Sequence, residues 1–104
     1  MQPVLIDIFR VPENARMTFL ERAGETQSFI RTLPGFIEGF LYERIDKDGS
    51  IDFLTTAVWE NEEAFENAKQ TIKAKFAASP EDPRETLKVL GVEMQRVLYR
   101  RSPF

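Results

Sequence analysis

The chain has 104 residues, enough for one domain (residues 1–104) but near the size at which a second copy often completes the burial of apolar surface. Its 42% hydrophobic and 30% charged content is that of a globular protein, and a net charge of −3 with a pI near 5.0 argues against the basic footprint of a nucleic-acid binder. It contains no Cys and no His, which excludes disulfides, thiolate chemistry and any Ser-His-Asp or Cys-His site, and removes the usual proximal haem ligand.

Residues 4–11 (VLIDIFRV) are dense in β-branched and aromatic side chains and predict a strand ended by Pro12. From Glu13 to Leu33 the spacing becomes helical: Phe19, Leu20, Ala23, Ile30 and Leu33 form one stripe, with Phe29 beside it. Pro34-Gly35 stops that helix, because proline disfavours the helical region for its predecessor and glycine accepts positive φ. Two strands follow, Phe36 to Ile45 and Ile51 to Trp59, joined through Asp48-Gly49, a hairpin-turn signal. Asp46, Asp48 and Asp52 hint at a calcium loop, but the glycine is misplaced for an EF-hand and the closing glutamate is missing, so this is read as a turn.

Asn61 is a good N-cap, and Glu62 and Glu63 sit where the helix dipole favours negative charge. Ala64, Phe65, Ala68, Ile72 and Phe76 make the buried stripe of this second long helix, which Ser79-Pro80 ends. Asp82-Pro83-Arg84-Glu85 predicts a short capped helix, Pro83 to Leu90, closed by Gly91. Val92 to Tyr99 is the last strand, and the tail from Arg100 to Phe104 is expected to be loose, with Pro103-Phe104 available to dock on a partner. The order predicts an α+β, ferredoxin-like split βαβ fold with a four-stranded antiparallel sheet. No basic-then-apolar leader opens the chain and no stretch approaches the length of a membrane span, so no membrane partner is expected and the expected location is cytoplasmic.

Side chains alternate along a strand, and here both sets are apolar. Val4, Ile6 and Ile8 oppose Leu5, Phe9 and Val11; Phe36, Phe40 and Tyr42 oppose Ile37, Leu41 and Ile45; Ile51, Phe53, Ala57 and Trp59 oppose Leu54 and Val58. An open face of this kind exceeds what a monomer usually exposes, so a homodimer through the sheet face is expected. Thr55, Thr56, Arg44, Glu43 and Arg96 are the polar side chains that would otherwise make the outer face tolerable to water.

Phe9-Arg10-Val11-Pro12, Phe19-Leu20, Leu33-Pro34-Gly35-Phe36, Val58-Trp59-Glu60-Asn61 and Ala64-Phe65, in this order and spacing, resemble the antibiotic biosynthesis monooxygenase family of the dimeric α+β barrel superfamily. The resemblance covers roughly residues 4–78, and more loosely the last strand. It implies a dimeric α/β barrel with a pocket in each subunit between helices and sheet. Some relatives oxidise anthrones, phenols or quinols with O₂ and no metal or flavin, others degrade haem, and others have no established activity. The haem-degrading branch needs an Asn, a second Trp and a His at positions that fall here on Phe9, Ala68 and Ala78. The expected cofactor is therefore none, and no metal is expected.

Asp7 is the candidate catalytic residue. It lies inside an apolar strand on the face of Leu5 and Phe9, which the resemblance turns towards the helix-side pocket, where burial would make its carboxylate a stronger base towards a phenol. Its structural alternative is an ion pair with Arg44 or Arg96, or a wet rim. Phe9, Tyr42, Trp59, Phe65 and Phe76 are candidate substrate-pocket residues, able to line or stack on a flat aromatic ligand or, for Tyr42, donate a hydrogen bond to it; Tyr99 shares that capacity. Each has a packing alternative, with Trp59 a strand-end anchor for the helix that follows. The expected activity is a cofactor-independent monooxygenase acting on a small aromatic or quinol substrate. The alternatives are a small-ligand-binding or stress-associated dimer without chemistry, and a structural dimer with a filled core.

Overall fold

A computed structural model describes residues 2–78 and 83–103. Strand β1 (Pro3–Val11) leads through a 3-10 turn (Glu13–Ala15) into helix α1 (Arg16–Ile30). Strands β2 (Phe36–Ile45) and β3 (Ile51–Trp59) form the hairpin, and helices α2 (Glu62–Ala77) and α3 (Pro83–Leu90) precede strand β4 (Glu93–Arg100). The four strands are antiparallel in the order β2-β3-β1-β4, the ferredoxin-like arrangement expected. The expected stop at Ser79-Pro80 and the expected cap Asp82 lie outside the described residues.

Local chemistry accounts for most of the element ends. The Asn61 side-chain oxygen accepts from the Ala64 backbone N–H at 2.8 Å, capping α2, and Glu62 and Glu63 follow in its first turn. Helix α1 stops at Ile30, short of Leu33, because tight bonds from Thr32 N–H to Phe29 and from Leu33 N–H to Ile30 replace the α pattern before Pro34. Its start is also shorter than expected, the first turn being the separate 3-10 turn. At the end of α3, Gly91 adopts φ 74, and Val92 N–H reaches back to Leu87 at 2.9 Å, so β4 starts one residue later than the sequence pattern suggested. The tail is not loose at its base: Arg100 is in β4, and the Arg101 N–H donates to the Gln2 carbonyl at 2.8 Å.

One irregularity re-sorts the sheet faces. A bulge between Phe36 and Glu38 turns Phe36 away from the set of Phe40 and Tyr42 and onto the helix side, against Trp59. The register also places Glu43, Thr55 and Arg96 on the helix side, so of the polar residues expected on the outer face only Arg44 and Thr56 lie on it.

The helix-side core has two parts. One comprises Val11, Ala15, Phe19, Ile51, Phe53 and Val92, joined by Phe9, Leu20, Ala23, Leu87 and Leu90. The other comprises Ala57, Trp59, Phe65 and Ala68, joined by Leu5, Ile30, Leu33 and Phe36. No helix among the described residues is long and apolar enough to cross a membrane.

Candidate functional site

The strand register builds a polar interval between these two clusters. On β1, Leu5 belongs to one and Phe9 to the other; on β3, Ala57 and Phe53 divide in the same way. The paired residues between them are Asp7 and Thr55. Leu41 flanks Thr55 on β2, and Arg96 flanks Asp7 on β4. The row Leu41, Thr55, Asp7, Arg96 therefore crosses the helix-side face of the sheet at its middle.

Asp7 is only 8% exposed, and among the described residues it is the one charged side chain in the buried set. A carboxylate tolerates that position because Arg96 satisfies it with a planar fork: Nε donates to Oδ1 at 2.8 Å and Nη2 to Oδ2 at 3.0 Å. The pair is the Arg96 alternative foreseen from the sequence. The Arg96 side chain remains 59% exposed, so its charge reaches solvent while its fork holds the strand interior. Its hydrogen bond to Asp7 raises the guanidinium's pKa above the usual arginine value, against the opposing effect of partial burial, so the group remains a cation. Each Asp7 oxygen keeps lone-pair capacity for a second donor. The arrangement can accept a proton or hydrogen bond at a fixed point and stabilise an anion beside it.

The other expected site residues divide. Trp59 is 2% exposed, packs edge-on to Phe36 at 5.5 Å between ring centroids, and shares its cluster with Phe65. Phe9 lies beyond Asp7 in the other cluster, 4.9 Å from the Phe19 ring, which itself stacks on Phe53. Phe76 is partly buried on the α2 stripe, and next to it Lys75 places its Nζ 4.4 Å from the Phe29 ring, joining the last turns of α2 and α1. Tyr42 does not join them. Its register opposite Leu54 puts it on the outer face, beside Phe40 and 55% exposed, because strand alternation counts from the bulge and separates it from Phe36. Tyr99 is likewise outer and 56% exposed.

Gln27 was absent from the sequence-level candidates. It lies four residues after Ala23 and three before Ile30, so it faces the core, and its Oε1 is buried without a hydrogen-bond partner. The signal was present: a polar residue on the apolar stripe of α1. Elsewhere, a depression of about 300 Å³ opens beside Gly35, Asn61, Asn67 and Thr71, and none of the expected site residues lines it. The aspartates of the hairpin turn bond to Ser50, Arg10 and Arg44, as a turn requires, and no described group of acidic side chains converges on a metal site.

No curated protein matches the sequence. Among solved structures, SnoaB, a cofactor-independent oxygenase from Streptomyces nogalater, is 26% identical over 99% of this chain and 95% of its own, with a TM-score of 0.68. A dimeric ferredoxin-like protein from an uncultured marine organism is 10% identical, covers 99% of this chain and 97% of its own, and has a TM-score of 0.73. A de novo designed protein, Foldit4, also superposes, at 15% identity over 98% of this chain and all of its own with a TM-score of 0.64, so the shape by itself carries no activity. Residues 4–81 match the family model for antibiotic biosynthesis monooxygenase, three quarters of the chain, and the protein belongs to that family.

Proposed function

We propose that the protein is a monooxygenase that oxidises a small aromatic or quinol-type substrate with O₂ and no cofactor, at the helix-side face of its sheet. The observation that carries the reading is Asp7: a carboxylate buried at the junction of two apolar clusters and held in one orientation by Arg96. Family membership supplies the reaction class, and SnoaB, described as a cofactor-independent oxygenase, is the similar structure that points to the same chemistry.

In this mechanism Asp7 accepts a proton from an activated C–H or phenolic O–H of the substrate. The Arg96 cation, fixed beside it, stabilises the resulting anion. The electron-rich anion reacts with O₂ directly, and for an anthrone-type CH₂ the balance is one carbonyl formed and one water released. Phe9, Phe65, Phe76 and Trp59 would then serve as the apolar walls and the packed floor. Tyr42 and Tyr99 lie on the outer face and take no part in this mechanism.

The test is oxygen uptake with a panel of anthrones, naphthols and quinols, corrected for autoxidation. Uptake saturates with substrate in the wild type, and Asp7→Ala lowers kcat/KM by about 100-fold or more. An unchanged kcat/KM removes Asp7 as the base. A second reading, a ligand-binding dimer without turnover, draws on the fact that both Asp7 oxygens are already held by Arg96. A copurified aromatic ligand with no uptake across the panel would favour it.

A further inference from the structure

We propose that Gln27 is the residue that recognises a hydroxyl group on the aromatic ligand; this rests on the reading of the helix-side face as the substrate site, and gives that site its polar specificity.

The argument begins with position. Ala23 packs on one apolar cluster and Ile30 on the other, and Gln27 lies between them on the same side of α1. The sheet has its own polar interval between the same two clusters, at Asp7 and Thr55. Helix and sheet therefore each place polar side chains where the two clusters meet, and apolar packing lies to either side.

Next comes hydrogen-bond accounting. The Gln27 Oε1 is buried with no partner, and it is the only such side-chain oxygen or nitrogen among the described residues. Native proteins rarely leave such a group unpaired, because burial removes its water and returns nothing. Asp7 shows the contrast: its oxygens are both satisfied by Arg96. An amide oxygen can only accept, so its missing partner is a donor. A phenol or quinol supplies that donor, and its ring extends into the apolar clusters on either side. An unsubstituted aromatic fills the same apolar space and leaves the oxygen unpaired, so the site discriminates between the two.

The test compares 1-naphthol with naphthalene by equilibrium dialysis against wild type, Gln27→Leu and Gln27→Met. Wild type binds 1-naphthol more tightly than naphthalene. Both variants lose about tenfold in affinity for 1-naphthol, as expected for one hydrogen bond, and keep their affinity for naphthalene. The unliganded variants melt at or above the wild-type midpoint, because an orphaned buried oxygen has been removed. Gln27→Met, unbranched like glutamine, provides the comparison should the branched leucine unfold the chain. A naphthol-to-naphthalene ratio unchanged by the substitutions overturns the assignment while leaving the aromatic site intact. A lowered melting midpoint with that same unchanged ratio identifies the amide as the holder of a structural water, and also overturns it. Wild type that binds neither probe overturns the aromatic site and the Gln27 assignment with it.

Discussion

A buried carboxylate and a half-exposed guanidinium are unequal partners, and Asp7 and Arg96 differ in what each leaves behind when the other is removed. Asp7→Ala leaves Arg96, whose side chain is 59% exposed and can turn to water, so the loss should be about 1 kcal/mol. Arg96→Met leaves a carboxylate whose side chain is 12% exposed and has lost its paired charge, and the loss should be about 2–3 kcal/mol. Urea unfolding of the two variants measures the difference, and equal losses would show that the carboxylate is solvated in a way its burial does not suggest. The pairing also marks how far sequence reasoning reaches at this scale. Asp7 announces itself as a charge inside an apolar strand. Its partner is 89 positions away, and choosing Arg96 over Arg44 needs the β1–β4 register. Gln27 carried a local signal, but its meaning depends on the burial of an unpaired oxygen that only packing creates.

At the scale of elements, the legible features were those set by neighbours in the chain: the Asn61 cap, the Pro34-Gly35 stop and the hairpin turn. The bulge at Phe36 was not legible, because both alternation patterns are apolar and the sequence holds no preference between them. Gly35 shows how a local stop also has a tertiary reason. Its φ is 82, and a methyl group there would overlap the Ala64 side chain in the first turn of α2, while its carbonyl accepts from the Glu60 N–H at 2.8 Å. Gly35→Ala should therefore cost about 3 kcal/mol from left-handed strain and overlap together, read from a urea midpoint; a loss below about 1 kcal/mol would mean that α2 moves aside freely. The β2–β3 hairpin carries the clearest pH dependence. A hydrogen bond from Arg44 at 2.5 Å lowers the Asp52 carboxyl's pKa, against partial desolvation, with Arg10 assisting, and Ser50 lowers that of Asp48. Both folded-state values lie below their unfolded ones. Their contribution is then complete above the ordinary carboxylate range, about pH 4, and fades as pH falls through the folded-state values. Amide protection in the hairpin, measured against the intrinsic exchange rate at each pH, should fall below about pH 4 ahead of the central β1–β3 ladder, and Asp52→Asn should remove most of that difference.

The whole molecule has the proportions of half an object. Its Cα extents are 39 × 38 × 18 Å, and its radius of gyration of 14.3 Å exceeds the roughly 13 Å expected of a compact chain this long. One layer of helices covers one face of the sheet, and the other face presents Ile6, Ile8 and Leu54, part-buried, beside Phe40 and Tyr42, which are 50% and 55% exposed. Ion pairs bracket this apolar field: Arg10 and Arg44 on Asp52 at one end, Arg101 with Glu38 at the other. We propose that a second copy covers the field, sheet against sheet about 10 Å apart, which would bring the thickness close to the other two dimensions. Leu54 lies near the middle, flanked by Ile8 and Tyr42 in the register, so a charge there cannot escape to the rim. Sedimentation should give twice the chain mass of 12.1 kDa for the wild type and the single-chain mass for Leu54→Asp. The wild-type melting midpoint should rise with protein concentration, because only the dimer hides this face, and the variant's should not. A wild type that sediments as a single chain at every concentration would refute the dimer and leave the outer tyrosines facing water. It would not touch the proposed helix-side site, whose residues all come from one chain, so oxygen uptake measured alongside would show whether chemistry and assembly are independent.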